Sequence, residues 1–359
     1  MKMRLLAVII PLIITAGCAK ILPAPREIGD FQLISVAALD RSEEPENGIT
    51  LTLYAKGVDE DSEPFTVSQS AATAASAFQE IGVSSGKHVF LGHTHFILIG
   101  ESLSMADGGL DGCLDYILRD PAIRPDIRLY IVKGNAGELL TGGEKDSDGA
   151  SVEERLKSLE LEARQTSVTD FTGALDAAAA MEGGGAILIP ALKPGKPGDG
   201  KGEIEPDGFA VVKDRRLSGY IDPEDAIYVN ILRGRFYNAV IEPSDGARTS
   251  ARISRMSRRY ALEWSGDTPS KLIVDVSFHA QDADSRSASD AGTGTEGAVQ
   301  KIRDGVARAL EASRQAGADY LGIASALDIR YPFRFARHRD GWEEEFTDLD
   351  VEVRVWLKK

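Results

Sequence analysis

The sequence has little cysteine and a deficit of basic charge, and both shortages exclude classes of protein. Two cysteines in 359 residues are too few for a disulfide scaffold, a cysteine-rich zinc site or an iron–sulfur cluster. Lysine and arginine total 41 against 56 acidic residues, which gives a net charge of −15. No nucleic-acid partner is expected, because neutralising phosphates requires a basic face. After the N-terminal segment, no stretch approaches the ~18 consecutive apolar residues of a membrane span.

The first 17 residues have the composition of a bacterial lipoprotein signal peptide. Lys2 and Arg4 precede a short apolar run, which ends in small residues directly before Cys18. We expect cleavage after Gly17 and attachment of a diacylglyceryl group to the Cys18 thiol, with a further acyl chain on the new amino-terminus in some such proteins. An ordinary secretory signal with an incidental cysteine is the alternative interpretation.

Lipid attachment at Cys18 would hold the rest of the chain in water beside a membrane. Residues 18–26 contain Pro23 and Pro25 and are predicted to be a lipidated tether. Cleavage removes two basic residues and no acidic ones, so the net charge becomes −17. Like charges repel within a Debye length of about 8 Å, which disfavours flat docking of the body on anionic headgroups. The lipid and protein partners are therefore expected to position the body.

The remaining chain is long enough for three compact domains. A polar, glycine-rich break follows residue 142, and the pattern changes again near residue 236. We predict an N-terminal mixed α/β domain at 27–142, a middle domain at 150–235 and a C-terminal domain at 236–359. The fold class is α+β, with three mixed α/β domains, the last an antiparallel sheet packed against long helices.

Several elements can be predicted individually. Residues 96–99 form an apolar run typical of a strand that is buried on both faces. A helix capped by Ser68 is predicted over residues 68–82. Residues 110–119 are predicted to be a helix that ends before a proline, with Cys113 as a buried thiol rather than a nucleophile. Residues 349–357 alternate as a half-buried strand does.

No set of residues has the pattern of a catalytic or metal site. His93 and His95 could bind a metal from one face of a strand, but no third ligand is indicated, and structural histidines are favoured. The acidic run at 343–345 is more typical of a solvated face than of a catalytic pair. The glycines at 183–185 lack the residues that complete a phosphate loop. We therefore expect no catalytic residue, no metal and no cofactor.

Five arginines interrupt the acidic background at the start of the third region: Arg248, Arg252, Arg255, Arg258 and Arg259. On a regular strand, Arg252 and Arg258 would share one face, with Arg255 and Arg259 on the other. Cross-strand pairing with acidic residues is the favoured interpretation. Contact with an acidic partner or with lipid headgroups is the alternative.

The mature chain resembles the spore-germination lipoproteins of the Ger(x)C type. Its most specific motif is a glycine–histidine strand at residues 91–101, followed by a helix that ends in Arg119, Asp120 and Pro121. Other segments are similar to that family in the same order: residues 26–28, 33–40, 207–214, 217–220, 317–322 and 340–346. The resemblance covers almost the whole mature chain.

The resemblance implies a C subunit of a nutrient germinant receptor, anchored by lipid to the outer face of the spore inner membrane. It implies no enzymatic activity, and assembly with membrane-embedded A-type and B-type subunits that respond to amino acids, sugars or nucleosides. Cys18 is the one functional residue carried over. A solute-binding lipoprotein that delivers a small ligand to a transporter is the main alternative, and an envelope hydrolase would need a convergent site.

Overall fold

The computed structural model describes residues 31–55, 64–86, 88–142, 151–195, 204–243, 249–285 and 293–358. The predicted signal peptide, the tether with Cys18, and Arg248 lie outside these residues.

The described chain alternates strands and helices. Up to residue 142 the elements are β1 (Phe31–Leu33), β2 (Val36–Ser42), β3 (Gly48–Ala55), β4 (Phe65–Ala71), α1 (Ala74–Ser84), β5 (His88–Phe90), β6 (Phe96–Gly100), α2 (Glu101–Met105), α3 (Gly109–Arg119), β7 (Arg128–Val132) and α4 (Ala136–Gly142). They continue with α5 (Val152–Thr166), β8 (Thr172–Gly173), α6 (Ala174–Glu182), β9 (Ile187–Pro194), β10 (Ile204–Lys213), β11 (Arg216–Ile221) and α7 (Pro223–Arg233). The last group is β12 (Asn238–Ile241), β13 (Thr249–Ser265), β14 (Thr268–Ser285), α8 (Thr293–Gln315), α9 (Ile323–Arg330), α10 (Pro332–Phe335), α11 (Trp342–Asp348) and β15 (Asp350–Leu357).

A nine-stranded mixed sheet forms the centre of the molecule. Its order is β11-β10-β9-β7-β6-β2-β3-β4, and β8 pairs with β7. The inner strands β2, β6, β7 and β9 run parallel, and antiparallel strands extend the sheet at both ends. Strands from both predicted regions, 27–142 and 150–235, enter this one sheet. The division of the chain into domains stays a prediction.

Strand β6 is buried on both faces, which confirms the interpretation of its apolar run. Phe96 and Leu98 join a core that includes residues of α4 and α5, while Ile97 and Ile99 join a second core with residues of α1, α3 and α6. Because helices cover both faces, a parallel strand here needs apolar side chains at every position. The sequence signal and the packing therefore agree.

The helix predicted from Ser68 begins later than expected. Residues 65–71 form β4, and the Ser68 hydroxyl lies 2.9 Å from the Thr52 hydroxyl across the strand pair. Thr73 is the actual cap of α1, since its side chain accepts a hydrogen bond from the Ser76 N–H. Both residues are good cap formers, so local propensity alone does not separate them.

The last part of the chain builds a four-stranded sheet with the order β12-β13-β14-β15. Strands β12 to β14 are antiparallel, as predicted, but β15 joins parallel to β14. Alternation predicts a strand without its direction, and the helices between β14 and β15 form the crossover that a parallel connection requires. Helices α7 and α8 share one core with this sheet. The α+β class with mixed sheets is confirmed.

In the part of the chain that the structure describes, no helix combines the length and apolarity needed to cross a membrane.

Candidate functional site

The cysteine and histidine candidates differ in burial and do not group into a metal site among the described residues. Cys113 is fully buried in α3, as predicted, and burial raises the pKa of its thiol to about 12. His93 ends a short 3₁₀ turn and His95 follows it, with ring centroids 4.8 Å apart, rather than sharing a strand face. Burial, with the adjacent His93, lowers the pKa of His95. Among the described residues, no three His, Cys, Asp or Glu side chains are grouped to hold a metal ion.

The acidic run at 343–345 makes structural contacts at the start of α11. Glu345 accepts a hydrogen bond from His338, at 2.8 Å, and Glu343 accepts one from the backbone N–H of Asp319. The Asp319 carboxylate in turn accepts hydrogen bonds from the first N–H groups of α9 and from the Trp342 indole. Burial raises the pKa of Asp319 to about 6. These contacts join the two closing motifs of the sequence.

The arginine stripe does not follow the regular alternation of a strand. A bulge shifts the register of β13 between Ser254 and Ser257, and Arg255 adopts a positive φ of 48° there. Arg258 therefore turns inward, where it donates a hydrogen bond to the Arg233 carbonyl and stacks on the Tyr260 ring. Arg252, before the bulge, is exposed. The expectation that these two share a face was wrong. Arg259 pairs with Asp275 across the strands, as the favoured interpretation predicts.

A polar network forms where the parallel strands of the large sheet end. We call it the carboxyl-edge network; its members are Glu101, Lys133, Lys193, Asp207 and Tyr220. Glu101 follows β6, Lys133 follows β7, and Lys193 lies near the end of β9. Parallel strands bring their carboxyl ends to one edge, which is where open α/β sheets place their ligand-binding groups.

Asp207 is the centre of this network. Both lysine ammonium groups contact its carboxylate, Lys193 at 2.7 Å. The Tyr220 hydroxyl donates to Glu101 at 2.9 Å, and Lys133 also lies 4.3 Å from the centre of the Tyr220 ring. Burial acts to raise the pKa of Asp207, but the hydrogen bonds from the two lysines outweigh it and lower the pKa. The network is thus internally neutralised, with two cations and two carboxylates.

Only part of the carboxyl-edge network is indicated by the sequence. Glu101, Asp207 and Tyr220 stand in segments that carry the family resemblance, but nothing in those segments indicates that they meet. The two lysines carried no signal of their own. Lys133 and Lys193 lie at the ends of two adjacent parallel strands, and this position indicates that they meet. It can be recognised only when the strand order β9-β7-β6 is known.

A groove of about 960 Å³ opens beside α3. Its lining includes small and apolar residues such as Ile49, Leu103 and Gly109, and its polar groups include Arg41, Tyr116 and several charged side chains: Asp107, Asp115, Arg119 and Asp120. The Tyr116 hydroxyl is buried without a hydrogen-bond partner among the described residues, and burial raises its pKa. This volume is in the range of small-molecule pockets.

Replacing Asp207 with asparagine should destabilise the protein by about 1–3 kcal/mol at neutral pH, because the neutral amide cannot hold two ammonium groups. The folded-state pKa of Asp207 is lowered, so its ion pairs stabilise the fold above about pH 4 and are lost as the pH falls through the folded pKa. Urea unfolding at neutral and acidic pH should therefore show a deficit that shrinks in acid.

Asp111→Asn is the matched control for this substitution. Asp111 also pairs with an arginine, Arg215, at 2.8 Å, but both side chains are well exposed. Exposed pairs contribute little, so this variant should stay within about 0.5 kcal/mol of the native sequence. Equal effects of the two substitutions would contradict a special role for Asp207.

The structure defines an α+β protein with mixed sheets, in which the carboxyl-edge network links neighbouring strands of the large sheet. The family model "Spore germination protein N-terminal domain" matches residues 25–194, and the model "Spore germination B3/ GerAC like, C-terminal" matches residues 207–358. The first match supplies Glu101 and both lysines, and the second supplies Asp207 and Tyr220. The chain belongs to this spore germination family, and the resemblance to Ger(x)C-type receptor subunits is confirmed.

Two individual proteins add to this assignment. "Spore germination protein B3" of Bacillus subtilis (strain 168) is 24% identical over 166 residues, which are 44% of this chain. The match spans 41% of the length of that curated relative. A solved structure described as the crystal structure of the GerBC protein superimposes with a TM-score of 0.56 at 16% identity, covering 90% of this chain and 96% of that one. This second likeness shows a shared fold.

Proposed function

We propose that this protein is a lipid-anchored, non-catalytic C-type subunit of a nutrient germinant receptor. It is held by Cys18 on the outer face of the spore inner membrane, where it acts with membrane-embedded A-type and B-type subunits. The observation that carries the proposal is the order and extent of the two family matches, which cover residues 25–194 and 207–358. The small residues before Cys18 support the lipid anchor.

Scaffolding or relay of the germinant signal is the mechanism that the described residues favour. The carboxyl-edge network neutralises its own charges, so it has the character of a structural brace across neighbouring strands of one sheet rather than of a reaction centre. A displacement of one family segment is carried to the other, because β9 of the first segment and β10 of the second are hydrogen-bonded neighbours in the same sheet. The proposal includes no cofactor and no catalytic residue.

A second candidate function is direct binding of a small solute, as in a solute-binding lipoprotein that serves a transporter. The groove beside α3 favours it, since its volume suits a small ligand. In that case the partner would be a transporter instead of receptor subunits.

Affinity purification from detergent-solubilised spore inner membranes separates the two candidates. With a tag on the C-terminus of the full chain, we expect A-type and B-type receptor subunits to copurify with the protein. Recovery of a transporter would support the solute-binding candidate. Absence of both subunits from a preparation that contains the tagged chain would contradict the receptor proposal.

A further inference from the structure

One corner of the third region departs from the acidic character of the chain. Residues 329–339 contain four arginines, one histidine and no acidic residue. We call this segment the basic corner; it runs from the end of α9 through α10 to His338 and Arg339. Ile329 and Phe333, four positions apart, are 83% and 94% exposed. A fully exposed phenylalanine between arginines is unusual for a surface that faces only water.

The basic corner is held in place by the sheet beneath it. Trp264 of β13 packs against Tyr331 and His338, with ring centroids 6.0 and 5.6 Å away. The Arg334 guanidinium lies 4.0 Å from the Trp264 ring centre. His338 also bridges the Glu345 carboxylate and the Asp267 carbonyl. Phe333 is therefore presented outward by an ordered support.

The two arginines beside the apolar pair, Arg330 and Arg334, form no ion pair with a described residue. Arg330 donates to the Tyr331 hydroxyl, and Arg334 donates to the Gly266 carbonyl; neither has a carboxylate partner among the described residues. Arg337 and Arg339 are themselves exposed, and they pair with Asp267 and with the half-buried Asp328. Ion pairs at the surface are weak, so an arginine in such a pair can exchange its carboxylate partner for another anion.

We propose that the basic corner docks on an anionic lipid surface. Ile329 and Phe333 enter the headgroup region, while Arg330 and Arg334 contact lipid phosphates. Apolar and aromatic side chains flanked by arginine have this combined affinity for the membrane interface, with the charge attracted by anionic lipids. The near-complete exposure of Phe333 makes the corner a projection rather than a pocket, which suits a deformable surface better than a rigid protein partner.

Docking through the basic corner is compatible with the net negative charge of the chain. The acidic body as a whole is repelled by anionic headgroups, so a flat face does not dock. The basic corner can still contact an anionic membrane surface. This contact would fix the orientation of the protein, which a lipid anchor alone leaves free to rotate. The contact is independent of Cys18, so it can be tested without the lipid.

Vesicle flotation with the mature-length chain from residue 18, carrying Cys18→Ala, tests the proposal. We expect the protein to float with vesicles of phosphatidylcholine and phosphatidylglycerol, less so with phosphatidylcholine alone, and less at high salt. An Ile329→Ser, Phe333→Ser variant and an Arg330→Gln, Arg334→Gln variant should each partition about tenfold less. Thermal unfolding should show that both variants are folded, with at most a small decrease in midpoint for the arginine variant, which loses the Arg334 contacts with the Trp264 ring and the Gly266 carbonyl.

Two controls remove the same kinds of side chain elsewhere. Val83→Ser replaces an apolar residue that is 81% exposed on α1, and Arg252→Gln with Arg255→Gln removes two exposed arginines of β13. Both controls should float as the parent does. No flotation of the parent with anionic vesicles, or equal flotation of corner and control variants, would overturn the proposal. Loss of receptor copurification by corner variants whose vesicle binding is unchanged would make the corner a protein interface and would also overturn it.

Discussion

Replacing Gly208 with alanine should destabilise the protein by about 3–5 kcal/mol, a large loss for the addition of one methyl group. Gly208 has a φ of +73°, in the left-handed region, and a Cβ at this position would lie 1.9 Å from the backbone carbonyl oxygen of Ile221. That oxygen belongs to β11, the edge strand next to β10. The strands would have to separate, which would also displace Asp207 from its lysines.

Gly219→Ala is the control, because it adds the same methyl group to β11 itself. A Cβ on residue 219 would have no atom within 4 Å, and the φ of this residue is not in the left-handed region. We expect it to change the stability by no more than about 1 kcal/mol. Urea unfolding of both variants measures the difference. A Gly208→Ala midpoint close to that of Gly219→Ala would show that the contact between β10 and β11 does not constrain residue 208.

Replacing Cys18 with alanine should release the body from the membrane almost completely. The two acyl chains of the proposed lipid on Cys18 would contribute about 0.8 kcal/mol per buried methylene, which is far more than a few surface contacts provide. The basic corner orients the body under our proposal, and its charge-dependent contact is reversible and weakened by salt. A high-salt wash therefore separates the contribution of the lipid from that of the corner.

The sequence predicted best where the signal was local and strong. The apolar run of β6, the helix around Cys113 and the burial of that thiol needed only periodicity and flanking residues. Boundaries that depend on partner strands were missed, as at Ser68, whose hydroxyl meets Thr52 from another strand. The bulge at Arg255 reversed the faces of the arginine stripe, because one extra residue shifts an alternation by one position.

The candidate sites needed three-dimensional information for the same reason. Asp207 meets Lys133 and Lys193 only because β7, β9 and β10 are neighbours, and local propensity does not specify strand order. The basic corner is visible as composition in residues 329–339, but its meaning depends on the exposure of Phe333. The sequence shows that residues 329–339 include arginines and phenylalanines, but it does not show which of these side chains face solvent.

The most direct test of the central claim compares Cys18→Ala with Cys113→Ala in spores. Cys113 is buried in the core, so the second variant removes the other cysteine while leaving the predicted lipid site intact. After a high-salt wash of the spore membranes, we expect Cys113→Ala to stay in the membrane fraction and to support germination with nutrients. We expect Cys18→Ala to leave that fraction and to germinate poorly. Full membrane retention and normal germination of Cys18→Ala would contradict the proposed lipid-anchored receptor subunit.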